Sequence, residues 1–120
     1  MTENFIEIMQ GDSVTIPFSV IDADGNKIQK SDLKEAELTI GTLTDRPKTV
    51  IRRTLSAGTI AYDDVSGDFS FNLSQEDTFS LVQRKYKVDL RIMPSGSDKV
   101  EGIELGEIHI TLTVSKEVLK

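Results

Sequence analysis

Apolar and polar residues alternate one for one in five separate stretches of this chain. Val14, Ile16, Phe18 and Val20 are opposed by Ser13, Thr15, Pro17 and Ser19. Ala36, Leu38 and Ile40 are opposed by Glu35, Glu37 and Thr39. Phe69, Phe71 and Leu73 alternate with Asp68, Ser70 and Asn72. Tyr86, Val88, Leu90 and Ile92 alternate with Lys85, Lys87, Asp89 and Arg91. Ile108, Ile110, Leu112 and Val114 alternate with His109, Thr111, Thr113 and Ser115. Only extended backbone sends successive side chains to opposite faces. Each stretch therefore predicts a strand with one buried and one wet face. Strands of that kind suit antiparallel sheets, not parallel sheets covered on both sides.

Weaker strands fill the gaps. Residues 5–9 form an expected first strand, and residues 49–55 and 59–62 two more, joined near Ser56-Ala57-Gly58. Residues 99–105 form another, in which Gly102 and Gly106 weaken the strand or mark bulges. The total is about seven to nine strands. Turn chemistry recurs about every ten residues, at Gln10-Gly11-Asp12, Asp22-Ala23-Asp24-Gly25-Asn26, Asp45-Arg46-Pro47, residues 63–67 and Pro94-Ser95-Gly96-Ser97. That spacing predicts a sandwich or small barrel. Ser74 followed by Asp77 reads as a helix start, so one short helical turn is expected near residues 75–82, crossing between sheets. Ser31-Asp32-Leu33 reads as a similar corner. Pro17 cannot donate to a ladder, so its strand is expected at an edge or bulged. Tyr86 begins an inward-facing strand just after the helical corner, as in the tyrosine corner of immunoglobulin-like sandwiches. The expected architecture is one all-β, antiparallel, immunoglobulin-like β-sandwich domain over residues 1–120.

The bulk charge narrows the function. The 120 residues carry a net charge of −6, with 14 basic and 20 acidic side chains. A generic nucleic-acid binder needs a basic surface to neutralise phosphate, and adhesion to anionic lipid needs the same. Neither partner is expected. There is no cysteine, hence no disulfide framework and no thiolate metal site. The first residues lack a basic segment and a long apolar core, so no signal peptide is expected, and synthesis in the cytoplasm is.

No catalytic residue stands out. His109 is the single histidine and sits on the polar face of its strand, where a solvated surface role is expected over a general base or metal ligand. A serine triad would have to use it, and no Gly-x-Ser-x-Gly elbow is present. The Asp22–Asn26 turn fails the EF-hand pattern, because glycine falls at its fourth position and Leu33 at its twelfth. Asp63, Asp64 and Asp68 form a second acidic cluster that together with the first could hold calcium weakly. Arg46, Lys48, Arg52 and Arg53 make a basic stretch, but Arg52 and Arg53 would point to opposite faces of a strand. Sugar platforms stack on Trp or Tyr, and the chain has no Trp and only Tyr62 and Tyr86. No catalytic, cofactor-binding or metal residue is assigned.

The segment Gln10-Gly-Asp-Ser-Val-Thr-Ile-Pro-Phe-Ser-Val, the Asp22-Ala-Asp-Gly-Asn turn and Asp32-Leu-Lys-Glu-Ala-Glu-Leu-Thr-Ile resemble the N-terminal domains of phage baseplate upper proteins. Gly67-Asp-Phe-Ser-Phe-Asn-Leu-Ser, Tyr86-Lys-Val-Asp-Leu-Arg-Ile and a last strand over residues 107–114 continue the plan across nearly the whole chain. The resemblance implies an immunoglobulin-like sandwich in a phage or prophage virion. Its expected partners are other phage structural proteins and further copies of itself, and it supplies no catalytic residues and no cofactor. Members of that family anchor larger baseplate or fibre proteins to the tail. This chain ends at Lys120, so a small stand-alone virion protein, or a head or tail accessory, is expected. The alternative reading is a bacterial adhesin-type or carbohydrate-binding module stabilised by calcium. An enzyme ranks third.

Overall fold

The computed structural model describes residues 5–115 and 117–119. Its strands are β1 (Phe5–Met9), β2 (Val14–Phe18), β3 (Leu33–Thr42), β4 (Thr49–Thr54), β5 (Ile60–Asp63), β6 (Asp68–Leu73), β7 (Lys85–Pro94) and β8 (Glu101–Thr111). One short helix, α1 (Gln75–Phe79), lies between β6 and β7, and a 3₁₀ turn (Lys30–Asp32) precedes β3. Five strands form one sheet in the order β1-β8-β7-β3-β4, and three form another in the order β2-β6-β5. The two sheets face each other as an immunoglobulin-like sandwich.

The alternating residues make the core. Leu38, Ile40, Leu90 and Ile92 project from the large sheet, and Phe69, Phe71 and Leu73 from the small one; all are buried. Their polar neighbours line the outer faces. Pro17 lies on β2, an edge strand, so its missing N–H leaves no ladder bond unmade. The strands on either side of Ser56-Ala57-Gly58 belong to different sheets, so that turn carries the chain across the sandwich.

Two features depart from the simple antiparallel plan. β1 pairs with β8 in parallel, while the other five strand pairs are antiparallel. The turn after Met9 sends the chain into the opposite sheet, so β1 finds its partner in the last strand. The second departure is that residues 99–105 and 107–114 are not two strands. Residues 101–111 form one strand, β8, which carries an extra residue at Leu105 where the register with β7 shifts between Val88 and Asp89; Leu112 and Val114, expected to face inward, lie beyond its end and are exposed. Gly106, at φ 144°, accommodates the shift. The bulge moves the inward positions from Ile108 and Ile110 to Leu105 and Ile103, all of which pack on one core. Without it the odd-numbered pair would face solvent.

The helical corner forms as its residues dictate. Ser74 Oγ accepts the Asp77 N–H at 3.1 Å, and Asp77 Oδ2 accepts the Ser74 N–H at 2.8 Å. This reciprocal cap fixes the helix start. The helix ends at Phe79, and Leu81 then drops into the core, fully buried. Tyr86 follows at 2% exposure, and its hydroxyl accepts the Gln83 N–H at 3.0 Å. The tyrosine corner therefore ties the α1–β7 connection to the core.

Replacing Tyr86 with Phe keeps the ring but strands that N–H. We expect a loss of about 1 kcal/mol in urea unfolding, against about 3–5 kcal/mol for Tyr86→Ala.

Candidate functional site

His109 is not the freely solvated residue expected from its polar position. Its Nε2 lies 2.7 Å from Glu107 Oε1, and its ring stacks on Phe5 at 4.2 Å between centroids. The side chain is only 19% exposed. Parallel pairing of β1 sets Glu7 beside it, and Lys85 is its neighbour on β7. The imidazole therefore helps fasten β1 to β8.

The acidic loops are likewise engaged. Asp22 Oδ1 accepts N–H bonds from Asp24 and Asn26, each at 2.9 Å, and Gly25 takes φ 86°. This is a closed Asx turn. Asp63 Oδ1 accepts from Val65 at 2.9 Å. Lys27 bridges the two loops, with its ammonium 2.9 Å from Asp68 and 3.1 Å from the Ser66 carbonyl. The cation that joins these loops is thus a lysine. Among the described residues no three acidic or histidine side chains converge as a metal site.

The basic stretch separates as its strand position requires. Arg52 bonds Glu37 on the outer face. Arg53 points the other way and reaches across the open end of the sandwich to the Asn72 carbonyl and to Asp77, the latter at 2.9 Å. Tyr62 packs on Phe69 at 4.8 Å between centroids, and Tyr86 is buried. Neither offers a flat exposed ring for a sugar.

Three features escaped the sequence reading. The first is Glu37, which holds Arg52 from β4 and Arg91 from β7, the latter through Nε at 3.0 Å. Hydrogen bonds from Arg91 and then Arg52 hold its carboxyl below the ordinary value of 4.5. For neighbouring Glu35 burial pushes upward, but bonds from the Ser56 side chain and from the Ala36, Ser56 and Leu55 backbone outweigh it, so the group also sits low. Alternation placed both carboxylates outward; only the β3 register shows what they meet.

The second is an apolar groove of about 260 Å³ between β2 and the β1–β8 edge, lined by Ile6, Ile16, Phe18, Phe71, Val88 and Leu105. The third is the state of the strand edges. The Gln10 N–H bonds the Thr111 carbonyl, so even-numbered β1 residues face β8 and odd-numbered ones face outward. Asp12 covers the outward groups of Met9: its Oδ2 accepts the Met9 N–H at 3.1 Å, and its own N–H donates to the Met9 carbonyl at 3.0 Å. Phe5 and Glu7 have no such cover among the described residues. Phe5 and Ile6 are 43% and 41% exposed.

No family model matches this sequence, and no curated protein sequence does either. Among solved structures the chain is similar to part of an endo-β-1,4-mannanase from Thermotoga petrophila, with 13% identity and a TM-score of 0.53. The match covers 93% of this chain and 18% of that one. The chain therefore spans under a fifth of the enzyme's length, and at that identity the likeness shows the fold alone.

Glu37→Gln is expected to cost about 1 kcal/mol at neutral pH, because the pairs lie near the surface. A carboxyl lowered in the folded state stabilises fully above its ordinary value of 4.5 and loses that contribution as pH falls through the folded-state value. The stability gap between wild type and Glu37→Gln should therefore narrow in denaturant titrations as pH falls below 4.5 and close once it has passed the lowered folded-state value.

Proposed function

We propose that this chain is a non-catalytic structural and interaction module of a phage or prophage particle, serving as a tail, baseplate or head accessory protein. The observation that carries the reading is how the chain uses its reactive groups. Its one histidine stacks on Phe5, its acidic loops close on their own backbone and on Lys27, and Glu37 holds two arginines. A general acid or base needs reach to a substrate proton, and these groups point into the scaffold's own contacts. Among the described residues an apolar groove and the outward edge groups of Phe5 and Glu7 lie open, the material of protein recognition. The sequence pattern shared with baseplate upper protein domains supplies the particle context.

A second reading, a carbohydrate-binding or adhesin-type module, draws support from the fold's likeness to part of a mannanase. The placement of Tyr62 and Tyr86 weighs against it.

The virion reading expects the gene to sit among capsid and tail genes; a position remote from all of them would overturn it. Titration calorimetry with a manno-oligosaccharide should register no binding heat. Thermal melts in millimolar calcium and in chelator should superimpose, and a calcium-dependent rise would favour the adhesin reading instead.

A further inference from the structure

We infer that copies of this chain associate head to tail, a basic corner of one copy meeting the acidic loops at the far end of the next. The inference rests on the reading of the chain as an interaction module and names one partner for it.

The strand registers gather the cations. Thr42, at the end of β3, pairs with Tyr86 of β7, and its N–H bonds the Lys48 carbonyl. The β3–β4 loop therefore lies beside the start of β7. This brings Arg46 and Lys48 together with Arg84 and Lys85 at one corner of the large sheet. All four are exposed. Among the described residues none of them has an ion-pair partner. Asp45 in the same loop opposes them, while nearby Glu107 is bonded to His109 and Lys87 is paired with Asp89. The corner keeps a local excess of positive charge in a chain whose total is −6.

The same registers send the acids to the other end. Tyr86 pairs with Ile108 and Met9 with Thr111, so the turn into β2 lies at the basic end. β2 runs away from that turn to Phe18, which faces Phe69. Asp22, Asp24, Asp63 and Asp64 sit in the loops beyond, all exposed. Lys27 pairs there with Asp68, and among the described residues these four carboxylates have no cation.

Such ends choose how copies meet. Corner against corner, or loop against loop, sets like charges together. Basic corner on acidic loops is the attractive apposition, and every copy brings the matching end at equal concentration. That contact joins two different surfaces, so each copy keeps one free end and the assembly can grow past two. Nucleic acid, the other common anion for such a corner, is repelled by the total charge of −6.

Ionic strength decides between local and total charge. At about 0.01 M salt the Debye length is about 30 Å, so whole molecules feel each other's net negative charge. At about 0.1 M it is about 10 Å, which screens the bodies and spares pairs in contact. At about 1 M it is about 3 Å, and the contacts weaken too. Association should therefore peak at intermediate salt. Exposed ion pairs each contribute little, so Kd falls at about 0.1–1 mM and gains weight where copies are held close.

Sedimentation equilibrium of the full chain up to about 1 mM tests this. At about 0.1 M salt the average mass should rise with concentration, and the association constant should drop at least about fivefold at about 1 M. Two double variants, Arg84→Gln with Lys85→Gln and Asp24→Asn with Asp64→Asn, should each weaken association at least about tenfold. None of these four side chains makes a hydrogen bond or ion pair among the described residues, so both variants should unfold in urea like the wild type. Each keeps the end that the other lacks, so an equal mixture should recover association and stop at two copies. A monomer at every concentration in 0.1 M salt, indifference to both variants, or a mixture no stronger than its components overturns the inference. Each of these outcomes leaves the virion reading standing on gene position.

Discussion

Five strands must hide their inner face behind three. Strands lie about 4.8 Å apart, so the large sheet spans roughly 19 Å and the small one roughly 10 Å. The surplus has to be closed at both flanks, and the sequence treats the two differently. At the β4 flank the crossing to β5 and the reach of Arg53 to Asn72 and Asp77 shut the gap. At the β1 flank the chain also crosses, to β2 after Met9, and the groove beside Ile6 stays open. The groove is thus a by-product of unequal sheets.

The outer face of the large sheet follows another logic. Glu37 pairs across strands with Arg52 and Arg91, while Lys87 pairs with Asp89 along β7 and His109 with Glu107 along β8. Near-surface pairs of this kind contribute little stability. The two Glu37 pairs bear on register, because both are satisfied in only one alignment of β3, β4 and β7. A slip of one residue would bury every one of these charges, so the outer face and the core specify the same pairing from opposite sides.

Much of this was legible in the sequence. The five alternating stretches fall on β2, β3, β6, β7 and the end of β8, though the last runs past Thr111 where β8 stops, and the Ser74 cap and Tyr86 corner form where their residues indicated. These signals are local: a side chain's face, or a cap three residues away. What was not legible depends on partners distant in sequence. His109 looks solvated until Phe5 arrives from about a hundred residues away. Gly106 reads as a strand breaker or a bulge, and only the continuous pairing with β7 selects the bulge. Glu37 is an outward carboxylate until the sheet order sets arginines on both sides. The site, being made of edges and a gap between sheets, is wholly of this second kind.

The pairing of β1 with β8 joins the first strand to the last. On a chain made from its N-terminus, Phe5 to Met9 leave the ribosome with their partner still about a hundred residues from synthesis. The sheet β7-β3-β4 and the whole small sheet can assemble earlier, since all their strands precede β8. The large sheet is completed only when β8 has docked and β1 has closed on it, and that closure carries the greatest loop cost in the molecule. The nascent domain therefore holds an apolar, unladdered Phe-Ile-Glu-Ile-Met segment in reserve until β8 has been made. That interval is when an intermolecular mispairing, or a chaperone, would find it.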